Sequence, residues 1–152
     1  MKKLICLFLL FLAFKQGFAQ INKVQFEQID GLQITEKRNV IVFIHTDWCK
    51  YCKVMQNKTF KNENVIELIN NNFYFTDFNA EEKRQIKFNN NIFSFKPNGN
   101  NSGIHELAIE LGTINNQINY PILCVLNERN EIIFQYNRLL NTKDLIKILG
   151  SF

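Results

Sequence analysis

The residues most able to do chemistry are two cysteines, Cys49 and Cys52, which are separated by Lys50 and Tyr51. Two thiols at this spacing can form a disulfide and can exchange it with the disulfide of another molecule. A bridge between them closes a very short loop and restrains the unfolded chain little, because the entropic effect of a disulfide grows with loop length. The pair therefore indicates redox chemistry more than a disulfide that stabilises the fold.

The flanking segments predict that this pair lies where a buried strand meets a helix. Residues 40–44 form an apolar, β-branched run with polar or charged residues on both sides, which is typical of a strand buried on both faces. The period then changes, because Cys52, Met55 and Gln56 lie three and four positions apart, as on one face of a helix. We therefore expect a central strand followed directly by a helix.

A helix N-terminus favours the thiolate form of a cysteine, which is the reactive form. The unpaired backbone N–H groups and the positive charges of Lys50 and Lys53 surround Cys49, and such settings lower a cysteine pKa from about 8.5 to roughly 3.5–7.5. Cys52 lies about one helical turn further on. We predict that Cys49 is the attacking nucleophile and that Cys52 resolves the mixed disulfide, without a metal or an organic cofactor.

Other interpretations of the pair remain open from the sequence. It could be half of a zinc site, but four ligands are needed, and the other sulfur and imidazole donors, Cys124, His45 and His105, form no second close pair. It could be a structural bridge or an inactive remnant of a redox site. A non-catalytic adaptor or metallochaperone could use the pair to hold copper or a partner. Cys124 lies within an apolar run and is expected to be buried and inert.

The remaining patterns predict a strand, an insertion, a helix, a hairpin and a capped final helix. These elements occupy residues 73–78, 80–103, 105–111, 122–126 with 132–136, and a last segment that begins at Asn141 or Thr142. A helical crossover would make the strand at 73–78 parallel to the first. Within the insertion a short hairpin is expected to pair 85–88 with 92–95, and the Asn-rich residues 89–101 are expected to be a solvated segment or a partner-recognition loop. Gly112 is expected to end the helix predicted at 105–111.

The N-terminal residues 1–19 have the features of a cleaved export signal. Two lysines precede an apolar run of 11 residues, and Gly17-Phe18-Ala19 supplies small residues before Gln20. The run is short for a membrane span, and Lys15 interrupts it. We expect one mature domain over 20–152 that is periplasmic or secreted, without stable membrane insertion after cleavage.

Charge and size limit the function classes of this mature domain. The whole chain has a formal net charge of +4, and the loss of three lysines with residues 1–19 leaves +1. This near-neutral balance removes the electrostatic argument for nucleic-acid binding. The 133 remaining residues suit a single apolar core, and we expect a monomer.

Two separated motifs resemble the thioredoxin superfamily. The first is the run Thr-Asp-Trp-Cys-Lys-Tyr-Cys-Lys at residues 46–53, between a predicted strand and a predicted helix, and the second is Tyr120-Pro121 before the hairpin. The resemblance implies an α/β thioredoxin fold, with a central mixed β-sheet flanked by helices and the Asn-rich insertion before a cis-proline segment. It also implies that Tyr120 and Pro121 line the substrate groove, and Trp48 is expected to shield the dithiol and touch substrate.

A narrower likeness concerns Asp47-Trp48-Cys49 and Thr59-Phe60. These residues resemble periplasmic thioredoxin-like proteins related to the C-terminal domain of the transmembrane disulfide reductase. The resemblance implies reduction or isomerisation of protein disulfides, with a thiol electron carrier as the second partner. The Lys50-Tyr51 dipeptide between the cysteines does not distinguish this activity from that of a disulfide-donating oxidase.

One position departs from the family pattern. Many thioredoxins bury an acidic residue six positions before the first cysteine, where it helps to move the proton of the second, and here that position is Phe43. The proton must then leave through water or another group. His45, two residues along the same strand, could substitute, or it could simply be packed or hydrogen-bonded.

Overall fold

The computed structural model describes residues 20–100 and 102–152, so the predicted export signal at 1–19 lies outside the described residues. The helices are α1 (Phe26–Thr35), α2 (Lys50–Asn57), α3 (Glu63–Asn72), α4 (Glu106–Gly112) and α5 (Thr142–Leu149), with a 3₁₀ turn at Thr59–Lys61. The strands are β1 (Asn39–His45), β2 (Phe73–Asn79), β3 (Ile86–Phe88), β4 (Asn91–Phe93), β5 (Phe95–Pro97), β6 (Gly103–His105), β7 (Ile122–Leu126) and β8 (Ile132–Tyr136).

The main sheet has the strand order β2-β1-β7-β8. β1 pairs parallel with β2 and antiparallel with β7, and β7 pairs antiparallel with β8. The prediction of a central strand at 40–44 is confirmed, as are the parallel second strand and the later hairpin. The N-terminal segment extends the sheet beyond β2, because the Val24 backbone N–H donates to the Phe75 carbonyl at 2.8 Å.

Two apolar cores cover the two faces of this sheet, because successive side chains of a strand point to opposite sides. Ile41 and Phe43 face the core that contains both cysteines of the dithiol and residues of α3 and α5. The alternate residues Val40, Val42 and Ile44 face the core built with α1 and α4. β1 is therefore buried on both faces and rigidly placed.

The crossover between β1 and β2 consists of two helices separated by a 3₁₀ turn. α2 ends at Asn57, and α3 begins after Asn62, whose side chain accepts the N–H groups of Asn64 and Val65 at 3.1 and 3.4 Å. Between them the Thr59 hydroxyl donates to the Leu140 carbonyl at 2.8 Å. This contact ties the end of the dithiol helix to the segment before α5.

The insertion contains more regular structure than the sequence patterns predict. The expected hairpin is present as β3 and β4, but its turn is the pair Asn89 and Asn90, with φ of 49° and 61°, and its strands end at Phe93. Positive φ at both positions is typical of a two-residue hairpin turn, and asparagine tolerates it well. β5 and β6 form a second hairpin that we did not predict.

The insertion packs against a helix that the sequence patterns also missed. Phe88 of β3 is buried, and its ring centroid lies 5.1 Å from that of Phe26 in α1. Ile86 is fully buried in the same core. Ile86 and Phe88 therefore help to complete one face of the molecule, whereas residues 89–92 and 96–100 are exposed, as expected for a solvated segment.

Two expectations about α4 need correction. Its first helical residue is Glu106, and His105 is the N-cap, with Nδ1 accepting the Leu107 N–H at 3.1 Å. Gly112 is the last residue of the helix, and it does not have the positive φ of a glycine terminator. Its role is close packing, since a Cβ there would lie 2.8 Å from Ile122 Cδ1.

Over residues 20–100 and 102–152, the helices are all too short or too polar to cross a bilayer.

The buried His105 generates a prediction about pH. Its Nδ1 accepts a hydrogen bond, so its Nε2 carries the proton and donates to the Arg84 carbonyl at 3.1 Å, and burial lowers the pKa of this imidazole. Below about pH 6.5 the unfolded state binds a proton that folded His105 does not take up, so we expect the free energy of unfolding to fall as the pH decreases. Urea denaturation across a pH series measures this effect.

The matched control is His105→Asn, which keeps an N-cap acceptor and cannot titrate. Because the chain has two histidines, the difference between wild type and this variant isolates His105 from His45. Equal pH slopes for the two proteins between about pH 7.5 and about pH 5.5 would contradict the prediction.

Candidate functional site

The two cysteines predicted to react are joined in a disulfide at the N-terminus of α2. Cys49 is the N-cap residue, and its sulfur accepts the backbone N–H of Cys52 at 3.1 Å. The Cys49 N–H in turn donates to the Thr46 carbonyl at 3.2 Å, which closes the turn after β1. A helix N-terminus directs unpaired N–H groups at this sulfur, and these groups favour a negative charge there.

The two sulfurs differ in their access to solvent. Cys49 retains 5% of its accessible surface and Cys52 none, because Cys52 lies inside the core of that face of the sheet. A disulfide on another molecule can approach only the partly open position. The difference agrees with the predicted order, in which Cys49 attacks and Cys52 resolves.

Two aromatic side chains, Trp48 and Tyr120, lie beside this opening and are called the aromatic rim below. Trp48, directly before Cys49, is 66% exposed, and its ring lies 6.0 Å from that of Tyr120 in an edge-to-face arrangement. The peptide bond between Tyr120 and Pro121 is cis. The structure therefore brings together all five residues predicted for the site, although they lie in two segments separated in sequence. Tyr51 is also exposed beside the dithiol.

Sequence reasoning missed Glu81, which contacts this rim. The Trp48 indole Nε1 donates to Glu81 Oε1 at 3.1 Å. Because β1 and β2 are parallel, their carboxyl ends meet at one edge of the sheet, and the Ala80 N–H donates to the His45 carbonyl at 2.7 Å. The signal was present in the sequence as a carboxylate just after the second predicted strand.

The Tyr120 phenol lies in a low-polarity part of the rim. Burial, together with the negative charge of Glu81, raises the pKa of Tyr120 to about 12. Its hydroxyl is buried and has no hydrogen-bond partner among the described residues. The phenol is therefore neutral, and its hydroxyl is enclosed by the protein.

Phe43 is fully buried below the dithiol, so no acid occupies that place on β1. Instead the parallel register sets Asp77 of β2 opposite Phe43, and His45 Nε2 lies 3.0 Å from Asp77 Oδ1. Lys23 forms an ion pair with the same carboxylate. Burial alone would raise the pKa of Asp77, but the hydrogen bonds and charges of His45 and Lys23 outweigh it and lower that pKa.

A cavity of about 270 Å³ borders this charged group. Asp77 and Lys23 line it from the sheet, and Gln56, one helical turn after Cys52, lines it from α2. Asp77 was not predicted as a partner of His45, although it appears in the sequence as the one carboxylate of the predicted strand at 73–78.

Cys124 lies on the other face of the sheet from the dithiol, in the core that contains α1 and α4. It is a free thiol with no exposed surface, and burial raises its pKa to about 12. It is therefore protonated and inaccessible, as expected for an inert cysteine. Across the described parts of the chain, no three His, Cys, Asp or Glu side chains cluster closely enough to hold a metal ion.

Residues 25–138 match the family model of the thioredoxin-like domain. The chain belongs to this thioredoxin-like family. The match begins just before α1 and ends after β8, so it includes the helix that the sequence patterns missed. It confirms the superfamily that the two motifs indicated. A comparison with curated proteins gave no match.

Several solved structures share the fold. The chain is similar to the DsbH oxidoreductase at 11% identity and a TM-score of 0.60, covering 88% of this chain and 85% of that one. It is similar to a thioredoxin from Thermus thermophilus at 16% identity and a TM-score of 0.60, with 87% and 86% covered. A disulphide isomerase from Xylella fastidiosa Temecula1 has 12% identity and a TM-score of 0.55, with 82% and 85% covered.

At these identities the likeness to solved structures establishes the fold. The mixed sheet flanked by helices is therefore confirmed as a thioredoxin-like fold. Within such a fold, a Cys-x-x-Cys disulfide at the start of a helix supports thiol–disulfide oxidoreductase activity.

Proposed function

We propose that this thioredoxin-like protein is exported and reduces or isomerises protein disulfides through Cys49 and Cys52. The observation that carries the proposal is the difference between the two sulfurs, since one is partly open at a helix N-terminus and the other is buried one turn further along. Such an arrangement admits attack from outside at one sulfur only.

The reducing cycle has two exchange steps. The Cys49 thiolate bonds to one sulfur of the substrate disulfide, whose other sulfur leaves as a thiolate and takes a proton. Cys52 then loses its proton and bonds to the Cys49 sulfur, which releases the second substrate thiol. The substrate gains two electrons and two protons, and an external thiol carrier must reduce the resulting Cys49–Cys52 bridge.

Isomerisation uses the same first step. If another thiol of the substrate displaces Cys49 from the mixed disulfide, the substrate exchanges one bridge for another and no net electrons are transferred. A substrate thiol must compete with Cys52 for this step, because the Cys52 sulfur lies within bonding reach of Cys49.

Trp48, Tyr120 and Pro121 are proposed to line the substrate groove. The rings of Trp48 and Tyr120 supply apolar area beside the opening, on which an extended segment can pack. The resemblance to thioredoxins adds that the backbone before the cis-proline pairs with substrate.

Two other functions remain as competitors: a disulfide-donating oxidase, and an adaptor or metallochaperone that does not turn over. The likeness of Asp47-Trp48-Cys49 to reductase-related periplasmic proteins supports reduction over oxidation. The aromatic rim supports recognition of a polypeptide over capture of a copper ion.

The first prediction from this proposal concerns insulin reduction by dithiothreitol. We expect wild type to accelerate the precipitation of reduced insulin chains and Cys49→Ser to abolish the acceleration, because the attacking thiolate is lost. Cys52→Ser is expected to accumulate a mixed disulfide that non-reducing mass spectrometry detects. Cys124→Ala, which changes the buried inert cysteine, serves as the control with full activity. A wild type no faster than Cys49→Ser would favour the adaptor.

The direction of the reaction depends on the redox potential of the dithiol. A physiological reductant is expected to have a value close to about −270 mV, as thioredoxin does, whereas one near about −120 mV belongs to a strong oxidant. Equilibration with glutathione buffers, followed by alkylation and mass measurement, gives this potential. A value at the oxidising end would replace the reductase proposal with the oxidase.

Export depends on residues 1–19. The positive end, the apolar run and the small residues before Gln20 support cleavage there. When the full chain is expressed in a bacterium with a periplasm, we expect the mature protein to begin at Gln20 and to appear in the periplasmic fraction. N-terminal sequencing checks this, and an uncleaved cytoplasmic chain would contradict it.

A further inference from the structure

The orientation of Trp48 depends on very few contacts. Its side chain is 66% exposed, so burial does not hold it in place. The described contacts of the ring are the hydrogen bond to Glu81 and the edge-to-face packing on Tyr120. Because Trp48 directly precedes Cys49, the position of its ring helps to shape the surface beside the dithiol.

Glu81 is itself firmly placed by the backbone around it. Its N–H donates to the Asn79 side chain at 2.9 Å, and the following N–H, of Glu82, donates to the Asn79 carbonyl at 3.0 Å. The preceding residue, Ala80, is fully buried, and its N–H donates a hydrogen bond to the carbonyl of His45 at the end of β1. This tight turn at the end of β2 presents the Glu81 carboxylate to the indole from a fixed position.

The charge of this carboxylate is not neutralised within the described parts of the chain. Glu82, only one residue away, lies within ion-pair distance of Arg84, whereas no lysine, arginine or histidine among the described residues lies within that distance of Glu81. The field of Glu81 nevertheless reaches the groove, because it helps to raise the pKa of Tyr120. A cationic side chain of a bound polypeptide could therefore pair with it.

We propose that Glu81 positions Trp48 beside the dithiol and favours substrates with a lysine or arginine next to the attacked disulfide. Its hydrogen bond sets the position of the indole, and its uncompensated charge sets the preference. The preference rests on the proposed function, whereas the positioning role does not. Asp47, Lys50 and Lys53 also lie near the dithiol in sequence, so the test compares variants in which these three charges are unchanged.

The positioning role can be measured without any turnover. The chain contains one tryptophan, so its fluorescence reports on Trp48 alone. In the oxidised protein we expect Glu81→Ala to lower the fluorescence anisotropy of Trp48 and to increase its quenching by acrylamide. Glu81→Gln retains an acceptor oxygen and is expected to behave like wild type. Unchanged anisotropy and quenching in Glu81→Ala would overturn the positioning role.

The charge preference is measured with two disulfide peptides that differ only in carrying lysine or glutamate beside one cysteine. Wild type is expected to have the higher kcat/KM for the lysine peptide. In Glu81→Gln the ratio of the two kcat/KM values should fall roughly two- to fivefold, which is the range of one solvent-exposed ion pair. Added salt should reduce the ratio of wild type towards that of the variant.

Glu67→Gln is the matched control, because it removes the same charge from an exposed position on α3 and should leave the ratio unchanged. A ratio that is equal in wild type and Glu81→Gln would overturn the charge preference, as would an equal fall in Glu67→Gln. If wild type reduces neither peptide, the proposed function fails instead, and the fluorescence result still decides the positioning role.

Discussion

The site depends on one junction, where the buried strand β1 ends and α2 begins with Cys49 as its N-cap. β1 is held on both sides by paired strands and on both faces by apolar cores, so its end has little freedom to move. The N–H of Cys52 points at the Cys49 sulfur because that sulfur replaces the usual capping oxygen. The hydrogen bond that caps α2 is therefore also one that favours a negative charge on the Cys49 sulfur.

The parallel pairing of β1 and β2 explains why distant residues meet at this junction. Parallel strands end at the same edge, so the turn after β2 runs beside the turn after β1 and brings Glu81 to Trp48. The antiparallel partner β7 begins at that edge, and Tyr120 precedes it there. The same sheet separates the dithiol from Cys124, which faces the opposite core. Topology thus assembles the rim and also isolates the third thiol.

Local sequence patterns predicted the elements that show a clear hydrophobic run or period, or that begin or end at a recognisable capping or turn residue. Residues 40–44 are a continuous apolar run, residues 73–78 are rich in aromatic residues, and Asn141, one of the two residues proposed as the cap of α5, is that cap. α1 was missed because few of its residues are buried, with Phe26 and Ile29 alone fully inside. β5 and β6 were missed because strands of three residues are too short to show alternation.

The contacts of the site were less predictable than its residues. Cys49, Cys52, Trp48, Tyr120 and Pro121 have recognisable types and spacing, and the structure brings them together. Glu81 has no local signal beyond its position after a strand, and its contact with Trp48 depends on strand pairing across 33 residues. Such contacts arise from sheet topology, which a single sequence expresses only indirectly.

The replacement of a buried acid by Phe43 changes how a proton can leave Cys52. β2 supplies a carboxylate opposite that position, but His45 and Lys23 stabilise Asp77 as an anion and lower its pKa. A carboxylate with a lowered pKa is a weaker base than an ordinary one, so Asp77 is poorly suited to accept the proton of a thiol. Asp77 also pairs with His45, so the imidazole that could have replaced the missing acid is already engaged.

Water is then the better candidate for the proton acceptor. The cavity beside Gln56, Lys23 and Asp77 has a mixed polar and apolar lining and is large enough for several water molecules, and Gln56 lies one turn beyond Cys52 on the same helix. In this arrangement the charged pair on the sheet would order water near the dithiol helix, while the transfer itself would use a solvent molecule. The carboxylate opposite Phe43 is therefore a partner of His45 and Lys23 and is poorly placed to act as the base.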